Sequence, residues 1–508
     1  MEKVALLVLD GFGYSKKHEG NAVEMAKMPY YNKLLELYPH SFLRASGEFV
    51  GLKKGQMGNS ETGHMNIGAG RIVAQDLTKI DNSISSGEFY NNVVLKNFFE
   101  KIKKSGGNAH FVGLLSKGGI HSHMAHLFAL IKMCKNSGVK DCYIHVITDG
   151  RDVDIHSAVN DIKILQKLLK ELNFGHIASV QGRFYAMDRD KKYNYTFDAY
   201  QAIINGIGVE VNSPVDYLKQ SYQKNITDEF IIPAVVVNGG KTVKFDNDKD
   251  GMLFYNFRKD RTKQLTEAFL LKDFDKFKTN FILKNYVTMT SYGEHFDCPV
   301  VFEKNVVSNA LVGVLSQNGK HIAKFSEPTK FPHVTYFLNG GREEPFENED
   351  WFKVPAKNVR TFDEAPEMSA IEVANELVKR CQEKDYDFVM VNLANCDMVG
   401  HTGNINATIK ALETVDKSLK IMVEFLKKQG FDILICADHG NAEQMIYRHK
   451  ICTTHTNNPV RLVFVSEKSA KLHNGSLVDL SPTILSLYSI AYPKEWTGKN
   501  LVCVNNKT

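Results

Sequence analysis

No Cys-x-x-Cys pair occurs among the eight cysteines (134, 142, 298, 381, 396, 436, 452 and 503), and they form no dense framework. That spacing excludes a disulfide scaffold and leaves a reduced, cytoplasmic setting, with most cysteines acting as small core hydrophobes. Long apolar runs are missing as well. The amino terminus reaches Asp10 after only Val4–Leu9, so neither a signal peptide nor a membrane span is expected. Charge of one sign is scarce: 63 Lys and Arg against 58 Asp and Glu leave a net +5 over 508 residues. So weak and dispersed an excess gives no footing for nucleic-acid binding, but it suits an acidic small molecule. Internal repeats and low-complexity segments are also absent.

What remains is an ordinary globular composition, 43% apolar and 24% charged, in a chain long enough for roughly two to four domains. Short apolar runs alternate with amphipathic stretches, the pattern of an α/β protein with largely parallel strands. Val4–Leu9, Ala109–Leu115, Tyr143–Thr148, Phe388–Leu393 and Ile433–Cys436 read as buried strands. Pro29–Leu37, Met124–Lys135, Ser157–Leu172, Ser369–Cys381 and Ile405–Lys428 read as helices, and Ser481-Pro482 as the cap and first position of a helix over Thr483–Leu487.

Three strands run directly into acidic or acid–histidine pairs: Leu9-Asp10-Gly11, Leu393-Ala394-Asn395-Cys396-Asp397, and Cys436-Ala437-Asp438-His439-Gly440. Ligands of open parallel sheets bind beyond the carboxyl ends of strands, so three such endings suggest one shared site. They lie near the two ends of the chain, and the middle third has no comparable cluster. Residues from about 75 to about 307 are therefore expected to form an inserted domain, with crossings near Gly70–Asp81 and Gly293–Ser308.

Asp397 and His401 are spaced i, i+4, which a helical turn would place on one face. With Asp10, Asp438, His439 and His455 they make three carboxylates and three imidazoles, a donor set suited to Mn²⁺, Zn²⁺ or Mg²⁺. Loop acids capping helices beside surface histidines are the competing account. Ser60, in Gly58-Asn59-Ser60-Glu61-Thr62-Gly63-His64, could open a helix whose free amides favour a phosphate, or could simply be an N-cap. A serine hydroxyl needs activation to act as a nucleophile, and a metal is one way to supply it. Farther along, His121, Arg151, Asp152, Arg183, Arg189, Arg258 and Arg261 stand in glycine-containing or acidic loops. Guanidinium forks match carboxylate and phosphate oxygens, although pairing with neighbouring aspartates would also explain them.

Asp10-Gly11-Phe12-Gly13, Gly58–His64, Gly119-Ile120-His121-Ser122-His123, Asp149-Gly150-Arg151-Asp152, Asp397-Met398-Val399-Gly400-His401-Thr402-Gly403 and Ala437-Asp438-His439-Gly440-Asn441 closely resemble the cofactor-independent phosphoglycerate mutases, members of the alkaline-phosphatase-like metalloenzymes. The likeness runs in order from residue 4 to near residue 500. It implies a discontinuous alkaline-phosphatase-like sheet domain (1–74 and 308–508) carrying the serine, and an inserted α/β substrate-binding domain (75–307). It also implies one divalent metal on Asp397, His401 and His455 and another on Asp10, Ser60, Asp438 and His439, with Mn²⁺ first and Zn²⁺, Co²⁺ or Mg²⁺ as alternatives. No 2,3-bisphosphoglycerate would be needed. The implied substrate-binding set is His121, Arg151, Asp152, Arg183, Arg189, Arg258, Arg261 and Lys330. Ser60 would carry the phosphoryl group, Lys330 would stabilise its charge in transfer, and Asp152 would shuttle protons.

Three departures accompany the likeness. Val153-Asp154-Ile155-His156 replaces a proline-containing stretch, Lys259 replaces a proline between two arginines, and Cys396 replaces a proline before the metal aspartate. None removes a ligand. The reaction implied is interconversion of 3- and 2-phosphoglycerate by a monomer without nucleic-acid or membrane partners. A phosphatase or another phosphomutase on the same metal site is the nearest rival, and a non-catalytic binding protein the rival from another class. The block of arginines argues against the first, and the complete ligand set against the second.

Overall fold

Val4–Leu9 never meets solvent on either face, because its strand, Lys3–Leu9, runs through the middle of an eight-stranded sheet. The computed structural model describes residues 2–303 and 307–504. The sheet order is Glu349–Lys353, Ile322–Ser326, Phe388–Leu393, Lys3–Leu9, Phe431–Cys436, Val460–Val465, His40–Arg44, Gly475–Ser476. The first five are mutually parallel, which is why they read as continuous apolar runs and not as alternating ones. Val460–Val465 is antiparallel to both its neighbours.

The helices of this unit match their sequence signals closely. Pro29–Leu37 has proline in its first turn and lacks a side-chain cap of its own. Asp416 of the long helix Ile405–Lys428 takes that place, accepting from the amides of Tyr30 (3.1 Å) and Tyr31 (2.7 Å). The long helix starts on Asn404, which accepts from Ala407 N at 3.1 Å, and buries the stripe Ala411, Leu412, Val415, Leu419, Met422, Val423 and Leu426. One helix start differs from the expectation. The helix is Leu480–Leu487, preceded by a 3₁₀ turn that Ser476 opens with a capping box to Asp479. Ser481 lies inside the helix with its hydroxyl on the Ile67 carbonyl. Pro482 is tolerated because first-turn amides have no intrahelical acceptor.

The chain divides into two units, Met1–Gln75 with Asn305–Thr508, and Asp76–Lys304. The second crossing, expected near Gly293–Ser308, includes residues 304–306, which lie outside the described residues. Unit Asp76–Lys304 has its own eight-stranded sheet, in the order Val300–Phe302, Tyr286–Thr290, Gly251–Phe254, Ala109–Leu114, Cys142–Thr148, His176–Gly182, Ala234–Val236, Val209–Val211. Its first six strands are mutually parallel. Each unit buries separate apolar clusters, so each has a core of its own. Among the described residues no helix is long and apolar enough to cross a membrane.

A polar chain runs through the second sheet. Asp250 Oδ2 lies 3.3 Å from His110 Nε2, His110 Nδ1 lies 2.9 Å from His145 Nε2, and His145 Nδ1 lies 2.9 Å from Ser179 Oγ. Burial, and then the neighbouring His110, hold the His145 imidazole well below its ordinary 6.5. The unfolded chain therefore takes up a proton at this side chain as the pH falls past 6.5, and the folded chain does not. The contribution of His145 to stability is complete above 6.5 and is lost progressively below it. The thermal midpoint of wild type should thus fall more steeply on acidification than that of His145→Gln. Parallel slopes in scanning calorimetry would show that His145 carries no such linkage.

Candidate active site

The three acid-bearing strand ends belong to adjacent strands. Lys3–Leu9 pairs with Phe388–Leu393 on one side and Phe431–Cys436 on the other, with Leu9 opposite Leu393 and Val8 opposite Cys436. All three point the same way, so Asp10, Asp397 and Asp438 emerge at one edge and are buried there. Gly11 permits the crowding: its φ is +74°, and a Cβ there would come within 2.8 Å of the Asp397 Cα. Gly63 plays a like part, since a Cβ would meet the Asp438 carbonyl at 2.8 Å.

Ser60 is the first residue of the helix Ser60–Ala69. The cap is Asn59, whose side chain accepts from Thr62 N at 2.9 Å, and the Ser60 hydroxyl is thereby free to face the acids. Ser60 Oγ lies 3.2 Å from Asp10 Oδ1 and 2.9 Å from His439 Nε2. Lys330 Nζ reaches Ser60 Oγ at 2.6 Å, Asp10 Oδ1 at 2.7 Å and Asp397 Oδ2 at 2.6 Å. Burial alone would raise the Asp10 carboxyl, but Lys330 and His439 hold it well below the usual range. Burial would lower the Lys330 ammonium, but Asp10, Asp397 and Asp438 push it up.

The histidines converge on the same carboxylates. His401 follows Asp397 by one turn, and its Nε2 lies 3.2 Å from Asp397 Oδ1. His455 Nε2 lies 3.2 Å from the same oxygen and 3.0 Å from His401 Nε2. Each ring's other nitrogen donates to a carbonyl, His401 Nδ1 to Thr453 at 2.7 Å and His455 Nδ1 to Gly58 at 2.8 Å. Both Nε2 atoms therefore face the acids and each other, an arrangement that requires a proton or a cation between them. His439 is set likewise, 3.4 Å from Asp10 Oδ1 and 3.6 Å from Asp438 Oδ2. Burial opposes its charge, but Asp438, Asp10 and Asp397 outweigh it and push the imidazole up to about 10. The donor atoms of Asp397, His439 and His455, and those of Asp10, Asp438 and His439, lie within 4.8 Å of one another in each group. Among the described residues buried Asp438 Oδ2 has no hydrogen-bond donor, since His64 Nδ1, 3.3 Å away, is bonded to the Ser60 carbonyl. Oxygen and imidazole donors, oriented nitrogens and an unsatisfied carboxylate oxygen fit divalent metal ions. The thiols of Cys396 and Cys436 are pushed well up by burial and by the nearby carboxylates, and so stay protonated.

The second unit gathers its arginines by the same topology. Strands Gly251–Phe254, Ala109–Leu114, Cys142–Thr148 and His176–Gly182 are consecutive in the sheet and parallel. Arg258 and Arg261, His121, Arg151 and Asp152, and Arg183 respectively follow them in the chain. Buried Arg183 donates to Asp149 Oδ1 and Asp152 Oδ2, both at 2.6 Å. His121 lies 3.9 Å from Asp152 and 3.5 Å from Asp260; burial, then Arg183, lowers it to about 4, so it is neutral at physiological pH. Arg151 pairs with Glu229 at 2.5 Å, and Arg189 (2.9 Å) and Arg258 (3.3 Å) share Asp260. Arg261 Nη1 donates to the Met187 carbonyl at 3.3 Å. Burial, then Arg189, Arg151 and Arg183, lowers its guanidinium, a sign of concentrated positive charge.

Several participants were not singled out from the sequence. Asp149 accepts from Ser116, Arg183 and the amides of Arg151 and Asp152. His64 contacts the Ser60 carbonyl (2.9 Å) and Asp438 Oδ2 (3.3 Å). Asn392 donates to Asp10 at 2.8 Å and Asn441 to Asp397 at 2.8 Å. Glu443 ties Asn441 N to Thr456 and Asn458, fixing the loops that bear His439 and His455. Asp149, His64 and Asn441 lie within the quoted motifs, which was their only signal. Asn392 and Glu443 gave none.

A serine at a helix start among acids and histidines whose donor atoms could hold metal ions, at the carboxyl edge of a mostly parallel sheet, defines an alkaline-phosphatase-like metalloenzyme. Residues 304–463 match the Type I phosphodiesterase / nucleotide pyrophosphatase family, and residues 80–294 match the BPG-independent PGAM N-terminus family. A 2,3-bisphosphoglycerate-independent phosphoglycerate mutase of Clostridium botulinum (strain ATCC 19397 / Type A) is 46% identical over 504 residues, covering 98% of this chain and 99% of its own. Its counterpart in Methanococcoides burtonii is 45% identical over 506 residues, covering 98% of each. The solved structure of Leishmania mexicana phosphoglycerate mutase at low cobalt concentration superposes with a TM-score of 0.74 at 29% identity, covering 99% of this chain and 98% of that one. The chain belongs to the 2,3-bisphosphoglycerate-independent phosphoglycerate mutase family.

The arginine set rests on Asp149. Asp149→Ala would leave buried Arg183 with Asp152 alone, at a cost of about 3 kcal/mol, the lower end for breaking a buried ion pair. Chemical denaturation checks this, and a loss below ~1 kcal/mol would mean that Asp149 is not the support assigned to it.

Proposed function

We propose that Ser60 accepts and returns the phosphoryl group as this chain interconverts 3-phosphoglycerate and 2-phosphoglycerate, a step of glycolysis and gluconeogenesis. The observation that carries the reading is the convergence of Lys330 Nζ and His439 Nε2 on Ser60 Oγ, at 2.6 and 2.9 Å, among buried carboxylates. Asp397, His401 and His455 would hold one divalent ion and Asp10, Ser60, Asp438 and His439 the other; when bound, the ions, Mn²⁺ foremost, supply charge that acidifies the serine hydroxyl and neutralises the transferring group. His439 stands in both groups of donor atoms, so its assignment to the second ion rests on the family.

In the first transfer, Ser60 Oγ, an alkoxide whose proton has already passed to solvent, forms a bond to phosphorus as the bond from phosphorus to the 3-oxygen of glycerate breaks. In the second, the 2-hydroxyl oxygen forms its bond to phosphorus as the Oγ–phosphorus bond breaks. The departing glycerate oxygen gains a proton and the attacking one loses it, and Asp152 is the carboxylate assigned to that exchange. Lys330 donates to Oγ and places positive charge beside the group in transit. His121, Arg151, Arg183, Arg189, Arg258 and Arg261 bind the carboxylate, hydroxyl and phosphate oxygens of the substrate. On this reading residues 1–74 and 308–508 are the phosphoryl-transfer domain and 75–307 the substrate-binding domain. The enzyme is proposed to be a cytoplasmic monomer that needs no 2,3-bisphosphoglycerate.

Exhaustive chelation, verified by elemental analysis, should abolish turnover, and Mn²⁺ should restore it without added 2,3-bisphosphoglycerate. Turnover that persists in the metal-free chain would overturn the two-ion reading.

Retention of glycerate between the two transfers is what separates a mutase from a phosphatase. Arg261→Ala should lower mutase turnover by about tenfold to a hundredfold, the equivalent of one charge-assisted bond, and raise inorganic phosphate as a fraction of product. Ser60→Ala should abolish both products. If Arg261→Ala loses turnover without any rise in phosphate release, Arg261 does not retain the alcohol.

A further inference from the structure

Unit Asp76–Lys304 contains a cluster that the reaction does not use. Asp81, on the helix Asp76–Ser86, and His123 and His126, at the start of the helix Met124–Asn136, bring one carboxylate oxygen and two imidazole nitrogens within 4.8 Å of one another. His123 is the N-cap, and the His126 amide donates to its carbonyl at 3.0 Å, which sets the two rings on the same turn. Their centroids are 5.7 Å apart. His126 Nε2 lies 2.8 Å from Asp81 Oδ1. The His126 side chain is fully buried, whereas Asp81 and His123 are partly exposed, which leaves an approach from solvent and room for water.

We propose that Asp81, His123 and His126 form a further divalent-cation site, separate from the donor groups around Ser60. Two imidazoles with one carboxylate select a borderline ion of the Zn²⁺ or Co²⁺ kind over Mg²⁺ or Ca²⁺, and three protein donors with an open side is a common arrangement for such ions. The helix cap, in which His123 Nδ1 accepts from the Ala125 amide at 3.3 Å, holds the second imidazole beside the Asp81–His126 pair. Among the described residues His126 Nδ1 is buried without a hydrogen-bond partner, so it can take the ring proton when an ion replaces the Nε2–Asp81 bond.

The site would join two helices that matter to the unit. Asp76–Ser86 is its first helix, and Lys79 on it donates to the Glu303 carbonyl at 3.0 Å. The other helix begins three residues after His121. A bound ion would therefore stabilise the unit by holding these helices together, with no part in the transfer chemistry.

The test is equilibrium dialysis of the metal-stripped full-length chain against excess Co²⁺, with bound cobalt counted by elemental analysis and followed by visible absorption. Wild type should hold one Co²⁺ per chain more than either His123→Ala or Asp81→Asn, and the wild-type-minus-variant spectrum should show the bands of an imidazole-ligated ion. Both substitutions are at partly exposed positions, and circular dichroism verifies folding. The difference does not depend on how many ions the Ser60 groups hold, so failure here is distinct from failure of the two-ion reading. Equal cobalt counts in wild type and both folded variants would overturn the proposal.

Discussion

Three buried carboxylates at the ends of three adjacent parallel strands are the constraint on which the sheet unit depends. Asp10 and Asp397 both bond Lys330 Nζ, so the oxygens involved stand no more than about 5 Å apart, a repulsion of about 3 kcal/mol at an effective dielectric of about 20. Asp438 adds a third negative charge to the same buried edge. Such a nest folds only if positive charge is brought to it. Lys330, His401, His439 and His455 each place a nitrogen within reach, and divalent ions are the natural occupants of what remains. The setting of Ser60 follows from the same electrostatics: its Oγ lies where ammonium, imidazole and carboxylate meet, and Asn59 takes over the capping that would otherwise occupy it.

The other unit applies one topology to the opposite sign. Parallel strands again end at a common edge, but their loops carry guanidinium groups, and the acids there serve as supports. Asp149 accepts from a hydroxyl, a guanidinium and two amides. Asp260 takes both Arg189 and Arg258 in a half-exposed position. The competing account from sequence, arginines paired with neighbouring aspartates, describes Arg258 with Asp260, but Arg151 pairs with Glu229, Arg183 with Asp149 and Asp152, and Arg189 with Asp260, all distant in the chain.

Much of this was readable from the residues in order. Central parallel strands are apolar on both faces, so Val4–Leu9 and Phe388–Leu393 stood out as continuous runs, and the helices Pro29–Leu37 and Ile405–Lys428 have the bounds expected of them. The reading failed at Ser481-Pro482, where a good local signal was overridden. Ser476 and Asp479 form a capping box upstream, and the Ser481 hydroxyl is engaged by the distant Ile67 carbonyl.

The sequence by itself determined which donors exist, that they follow strands, and that the motifs together are those of one family. Those are properties of composition and short-range spacing. Only the tertiary structure decided which donors share a point in space. His401 and His455 face each other at 3.0 Å although 54 residues apart, and Lys330 meets Asp10 across 320 residues. Asn392 and Glu443 gave no sign of their roles, because hydrogen-bond partners are chosen by sheet order and loop closure. The pairing of Asp81 with His126 across 45 residues was hidden for the same reason: the packing of two helices is a long-range decision that no local pattern records.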